Sequence, residues 1–353
     1  MNLDQLGWND FFASHFAQSS SCGSCAGRVV CVQKNAVLLH TESGEYWATL
    51  TGKLRYLASR SADLPAIGDW VVCQVLAGEQ RALVQAILPR KSQFSRQAPG
   101  KATDEQIIAA NLDTVFLVVG LDGDFNLRRI ERYLIQIWES GASPVILLNK
   151  ADLCEDIEQR KAEVAAIAIG VPLYAISAAN QQGLDPLTPH LAPGKTVALV
   201  GSSGVGKSTL TNRLLGHQRQ AVREVRRGDS HGRHVTTYRE LICLPSGGLL
   251  IDTPGMREFQ LWQANEGLSE TFAEIEILTA QCRFRNCQHE SEPGCAVQQA
   301  IAEGMLSPKR WRNYQKLNRE RQYTSAKQDR QSYLAQKEKW KKIHRILRKK
   351  QKR

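Results

Sequence analysis

The chain predicts an α/β fold: a parallel sheet covered by helices over residues 113–252, with a small β-barrel ahead of it and a helical metal-binding module behind it. Three observations predict this. Across 113–252, short apolar runs alternate with helix-length stretches, the texture of buried parallel strands joined by helices. Before them, about 65 residues hold five short strand-like runs separated by Gly, Ser, Asn and Asp, as a small barrel requires. After them, three cysteines and a histidine crowd into one short segment at metal-ligand spacing.

Taken in order, residues 1–20 predict a short amphipathic helical extension with Leu3, Leu6, Phe12 and Phe16 on one side. The barrel, 21–95, is built from runs at 28–32, 36–40, 46–50, 69–75 and 82–87 and is of the OB type. The α/β part, 96–265, predicts strands at 115–119, 145–148, 172–176, 196–200 and 249–251, with helices at 127–140, 156–168 and 207–215. The stretch 182–195 interrupts it with Pro186, Pro189, Pro193 and two glycines and reads as a linker. A metal-binding module follows at 266–304, and a Lys/Arg-rich helical tail at 305–353.

With 353 residues, 42% of them hydrophobic and 23% charged, the composition is that of a soluble globular chain of two or three domains. No run of apolar residues is long enough to span a bilayer. The first eighteen residues carry Asp4 and Asp10 without a basic region, so a cytoplasmic location without membrane attachment is expected. The nine cysteines are then thiols or metal ligands. The net charge of +11 is concentrated: 305–353 holds 18 Lys/Arg against three acids, and the remainder is net negative. A cationic segment of that density fits an anionic polymer, and Trp311, Tyr314, Tyr323, Tyr333 and Trp340 within it favour RNA over an inert solvated helix. In and beside the barrel, Lys53, Arg55, Arg90, Lys91 and Arg96 neighbour Trp47, Tyr56 and Phe94. Stacking on RNA and packing in the core are both open for these rings.

The order of the nucleotide-binding motifs is the strongest functional signal. Gly201-Ser202-Ser203-Gly204-Val205-Gly206-Lys207-Ser208 follows an apolar strand and opens a helix, the context in which backbone N–H groups and a helix N-terminus cradle phosphates. Lys207 is expected on the β/γ-phosphates and Ser208 on Mg²⁺, with Thr209 completing the phosphate-binding set. Asn149-Lys150-Ala151-Asp152 ends the strand at 145–148, where Asp152 can accept both N–H groups of guanine's Watson–Crick edge. Ser177-Ala178, ending 172–176, adds a backbone N–H for O6. Asp252-Thr253-Pro254-Gly255 ends the last strand, Asp252 reaching the Mg²⁺ shell and the Gly255 N–H sensing the γ-phosphate. The chain thus reads the base first, then the phosphates, then the γ-phosphate sensor: a circularly permuted P-loop GTPase site for GTP and GDP.

Between the phosphate loop and the sensor, 228–237 reads as a first switch, with Thr236 as the Mg²⁺-binding hydroxyl and Thr237 the alternative. After Gly255 stands Met256, which cannot orient water. Hydrolysis therefore falls to another group, and His234 is the nearest titratable candidate, a switch-loop or RNA-facing role being its alternative.

Cys282, Cys287, His289 and Cys295 form C-x4-C-x-H-x5-C, a closed tetrahedral set for one structural Zn²⁺. Cys22-Gly23-Ser24-Cys25 with Cys31 has no second pair or nearby histidine and makes a poor zinc site, while Cys73, Cys154 and Cys243 read as packing residues.

Permuted motif order, a preceding barrel and this zinc module together resemble the ribosome small-subunit-dependent GTPase A family over nearly the whole chain. The resemblance implies a circularly permuted P-loop GTPase domain with an N-terminal OB-type β-barrel and a C-terminal helical zinc-binding domain. It implies docking on the small ribosomal subunit and its rRNA late in assembly, and hydrolysis stimulated by that subunit. A monomer is expected. Met256 and His234 fit the family. Val235 stands where the family has Thr, and the basic tail is longer than the family's ending. The alternative is a GTP/GDP-responsive RNA-binding module with negligible turnover or a non-ribosomal partner.

Overall fold

A 3-10 turn (Asp4–Leu6) and helix α1 (Asp10–Ser19) open the chain; the Asn9 side chain caps α1 by accepting the Phe11 N–H. Five barrel strands follow: β1 (Cys25–Val32), β2 (Val37–Thr41), β3 (Gly44–Leu50), β4 (Trp70–Val75) and β5 (Arg81–Ile87), with α2 (Gly52–Leu57) between β3 and β4. In this computed structural model, which describes residues 2–76, 78–97, 105–123, 125–216, 240–252, 265–323 and 326, the ring closes as β1-β2-β3-β5-β4-β1. Only β3 and β5 run parallel. The five strand runs read from the sequence are these five, and Val29, Leu39, Ala48, Val71 and Val84 fill the interior.

A two-stranded pair, β6 (Gln93–Gln97) with β7 (Glu105–Ala110), leads out of the barrel; the sequence reading did not foresee it. Then come β8 (Thr114–Gly120), α3 (Leu127–Glu139), β9 (Ser143–Asn149), α4 (Ile157–Ala165), β10 (Leu173–Ala175), β11 (Thr196–Val200), α5 (Lys207–Leu215), β12 (Glu240–Cys243) and β13 (Leu249–Asp252). The sheet order is β10-β9-β8-β11-β13, all parallel, with β12 antiparallel beyond β13. Every residue of β8 and β11 is buried, as parallel strands covered on both faces must be. Alternation along β8 divides the core: Val115, Leu117 and Val119 face the layer of α3, whose Ile130, Leu134 and Ile137 repeat at helical spacing. Phe116 and Val118 face the opposite layer with Leu210 and Leu215 of α5.

The expected linker 182–195 is ordered. Pro186 sits in the first turn of a 3-10 helix (Asp185–Leu191) whose Leu187 and Leu191 are buried, and this helix returns the chain from the edge strand β10 to β11 in the middle of the sheet.

Barrel and α/β sheet share one strand system, because β12 also pairs with β1 at Glu240 and Cys31. Their junction holds a buried cation. Arg28 of β1 donates to the carbonyl of Leu6, to Gly68 O at 3.3 Å, to Asn111 O at 3.1 Å and to Thr196 Oγ1 at 2.9 Å. Burial pulls its pKa down to about 10, with the carboxylates of Asp113 and Asp69 opposing. Beside it, Arg90 makes a two-pronged pair with buried Asp69, both contacts 2.7 Å.

The described residues from 265 onward belong to a second compact unit. It contains α6 (Asn265–Thr271), α7 (Ala273–Ala280), α8 (Ala296–Ala302) and a helix over 308–323. Two aromatic expectations are corrected here. Trp311 and Tyr314 are 7% and 8% exposed; the two rings stack on each other and Tyr314 meets Phe272 edge-on, so they are core rather than RNA contacts. Helical periodicity explains this, since positions three apart share one face of the basic helix, and that face lies on α7, where the Tyr314 hydroxyl donates to Glu276. Phe94 of β6 is likewise buried, whereas Trp47 and Tyr56 are exposed. Tyr333, Trp340 and most of the basic tail lie outside the described residues.

Candidate nucleotide and zinc sites

The carboxyl ends of β8, β9, β10, β11 and β13 bring Gly120, Asn149, Ser177, Gly201 and Asp252 to one edge of the sheet, where ligands of open α/β sheets bind. Asn149 is the keystone of that edge. It is 3% exposed; its Nδ2 donates to Val205 O at 2.7 Å, and its Oδ1 accepts the Ala178 N–H at 2.9 Å. One side chain thus ties the base loop to the phosphate loop and to the Ser177-Ala178 loop. The Ala178 N–H, expected for guanine O6, is therefore engaged within the protein. Ser177 is buried, exchanging both backbone hydrogen bonds with Gln182, and its hydroxyl accepts the Asn180 N–H.

Lys150 adopts a left-handed backbone conformation and its amine contacts Asp122 Oδ2 at 2.5 Å, while Asp152 is exposed on the 3-10 turn Ala151–Leu153. Exposure leaves the Asp152 carboxylate accessible to a base.

The phosphate loop fits its residues closely. A Cβ on Gly201 would meet Val118 O at 2.2 Å, and one on Gly206 would meet Asn149 Nδ2 at 2.2 Å; both glycines also have positive φ. α5 starts at Lys207 without a side-chain cap, so its first N–H groups face the loop. The Lys207 amine donates to Gly201 O at 2.7 Å and to the Ser202 carbonyl. Ser203 and Gly204 are exposed, Val205 is buried, and Ser208 and Thr209 are half-buried in the first turn of α5. Asp252 ends β13, half-buried. The oxygen donors of Ser208 and Asp252 suit a hard cation such as Mg²⁺. Thr253, Pro254, Gly255 and Met256, like His234, Thr236 and Thr237 of the first switch, lie outside the described residues.

Sequence reasoning missed three cooperating side chains. Arg129, in the first turn of α3, reaches Ser202 Oγ at 2.5 Å, so both the hydroxyl and the carbonyl of Ser202 contact a cation. Asp122 holds Lys150, and Arg213 of α5 donates to Ala178 O and Ala179 O at 3.2 and 3.0 Å. No motif marks these positions; only the proximity of strand ends reveals them.

In the second unit, the ligand atoms of Cys282, Cys287, His289 and Cys295 all lie within 4.8 Å of one another. Cys282 Sγ is 3.4 Å from His289 Nδ1 and 3.9 Å from Cys295 Sγ, which is 3.5 Å from the same nitrogen. Tetrahedral zinc with bonds of about 2.3 Å to sulfur and about 2.0 Å to nitrogen separates its ligand atoms by roughly 3.5–3.8 Å, so the residues fit the ion. The loop is fixed from outside as well. The Gln298 amide donates to His289 O at 2.5 Å, Trp311 meets the His289 ring edge-on at 5.4 Å, and Glu292 accepts the backbone N–H groups of Gln288, Glu290 and Ser291. Those N–H groups hold the Glu292 carboxyl down to about 2.

Known proteins resemble this chain in sequence and in fold. The family model described as RsgA GTPase matches residues 87–262. A protein of Opitutus terrae named small ribosomal subunit biogenesis GTPase RsgA is 48% identical, over 98% of this chain and 96% of the relative. One of the same name from Syntrophotalea carbinolica is 43% identical, with the same coverage of each. Among solved structures, YjeQ from Thermotoga maritima aligns with a TM-score of 0.63 at 27% identity, covering 84% of this chain and 98% of that one. YloQ, described as a circularly permuted GTPase, aligns with a TM-score of 0.62 at 27% identity, covering 85% and 95%.

Proposed function

Because the chain belongs to the RsgA GTPase family and hydrolyses GTP, we propose that it does so on the small ribosomal subunit, promoting late maturation of that particle and leaving it on hydrolysis. The observation that carries this reading is the Asn149 clamp, which ties the base loop and the Ser177-Ala178 loop to the phosphate loop in a chain whose motifs run base, phosphate, sensor. The relatives' names supply the particle.

In this reading Asp152 selects guanine, Asn149 and Lys150 support the base loop, and Ser177 and Ala178 set its floor. Gly201 to Ser208 hold the phosphates, with Lys207 leaving its carbonyl partners for phosphate oxygens and Thr209 behind it. Mg²⁺, when bound, neutralises phosphate charge, with Ser208, Thr236 and the water-linked Asp252 as its protein partners. His234 positions or deprotonates the attacking water, since Met256 cannot, and the Gly255 N–H reports the γ-phosphate. One Zn²⁺ on Cys282, Cys287, His289 and Cys295 keeps the second unit folded. Residues 21–95 act as an RNA-facing barrel, 96–265 as the GTPase, 266–304 as the zinc module and 305–353 as a basic rRNA-binding tail, in a monomer of the cytoplasm. Exposed Trp47 and Tyr56, with Lys53 and Arg55 on α2, support the barrel's part. No helix among the described residues is long and apolar enough to cross a membrane.

The test is GTP turnover with and without purified small subunits, run beside His234→Ala. Strong stimulation that the variant loses supports the reading. Unstimulated, negligible turnover would make the chain a nucleotide-responsive binding module instead.

A further inference from the structure

Two thiols of the barrel belong to neither site. Cys25 opens β1, and Cys73 of β4 stands directly opposite it in the antiparallel ladder. Opposed Cα atoms in such a ladder are about 4.5–5.5 Å apart. A disulfide spans about 4.4–6.8 Å between Cα atoms, so the backbone already has bridging geometry. The Sγ atoms are 3.4 Å apart, and closing to a bond of about 2.05 Å asks for side-chain rotation alone.

The two thiols are unequal. Cys73 is fully buried, whereas Cys25 is half-buried, three residues after exposed Cys22. Ser24 between them is tied to Gln85 Oε1 at 2.9 Å, so Cys25 sits at an accessible but fixed strand end. The contact between the two thiols draws the Cys25 thiol down to about 7 against burial and, with burial, pushes Cys73 up, whose thiol also donates to the Cys25 carbonyl at 3.4 Å. That asymmetry gives one thiolate nucleophile and one protonated resolving partner. Cys31 is no alternative, lying six residues further along β1, roughly 20 Å at strand rise.

We propose that Cys25 and Cys73 form a peroxide-oxidisable dithiol that closes reversibly into a cross-strand disulfide, stapling the β1–β4 seam that completes the barrel. The Cys25 thiolate attacks hydrogen peroxide, giving a sulfenic acid and hydroxide. Cys73 then attacks that sulfur, forming the S–S bond and expelling hydroxide, which takes up the Cys73 proton to leave as water. Two thiols are oxidised and one peroxide is reduced to two waters.

The experiment treats full-length, zinc-loaded protein with hydrogen peroxide near stoichiometry, blocks remaining thiols by alkylation, digests without reduction and maps peptides by mass. A Cys25–Cys73 linked peptide is expected before Cys282, Cys287 or Cys295 is oxidised or zinc is released, and dithiothreitol should reverse it. Cys73→Ser should instead accumulate a dimedone-reactive sulfenic acid at Cys25. Should that variant fold poorly, Cys25→Ser serves: it should yield no linked peptide and leave Cys73 unmodified. A Cys22–Cys25 link, or oxidation of the zinc thiols first, would overturn the proposal.

Discussion

Asn149→Ala offers the sharpest test of how the nucleotide site is held together. The substitution removes the donor to Val205 O and the acceptor of the Ala178 N–H, both at a position 3% exposed. A buried polar group stripped of its partner costs about 1–3 kcal/mol, so the two orphaned groups together make about 2–4 kcal/mol, allowing for partial relaxation. That cost falls on whatever orders the loops. Nucleotide binding does so, and GTP affinity should drop about 30-fold to 1,000-fold, since about 1.4 kcal/mol is tenfold. Titration with a fluorescent GTP analogue reads this directly.

Geometry adds a second arm to the assay. Gly206→Ala brings a methyl to 2.2 Å from Asn149 Nδ2, so in the Asn149→Ala background the collision disappears and only backbone strain at φ 97° remains. The double variant should therefore lose less than the sum of the two singles, by about 1 kcal/mol or more. Affinity within threefold of the parent for Asn149→Ala, or strict additivity of the pair, would refute the clamp.

Arg129→Ala should lower kcat about tenfold with a smaller change in KM, as a charge-assisted hydrogen bond to Ser202 Oγ is lost, and Arg129→Lys should recover part of it. His289→Ala should abolish stoichiometric zinc by elemental analysis and melt the second unit, while GTP affinity, held in the first, stays within a few-fold. Arg28→Ala should cost about 3–5 kcal/mol of stability by denaturant titration, because four buried acceptors lose one cation. Alkylation of Cys25 should rise with pH through a midpoint near 7, the lowered value Cys73 gives it; Cys73→Ala should move that midpoint upward, towards an ordinary thiol.

The legible parts of this fold were those where local pattern and tertiary demand coincide. Runs such as 196–200 are buried on both faces and could be nothing but interior strands, and helix 207–215 begins and ends as expected between Gly206 and Gly216. What stayed hidden depends on contacts between residues distant in sequence. β12 and the β6–β7 pair are short and gain their meaning from partners elsewhere. Arg129 looks like any helix-surface arginine until β8 and β11 set α3 beside the phosphate loop. Trp311 and Tyr314 share a segment with so many cations that composition masked a core-facing stripe. Cys73 reads as a packing residue and does pack, but its partner lies 48 positions away, beyond the reach of any spacing rule.

The pairing of β12 with β1 also bears on solubility. Without the barrel, β12 would be the terminal strand of the α/β sheet, presenting unpaired N–H and C=O groups to any other extended chain. The barrel thus acts as an edge guard. Excising residues 1–95 to obtain a minimal GTPase would bare that strand together with the apolar surface left by Phe12, Trp70 and Leu88, and self-association of the fragment is the expected result.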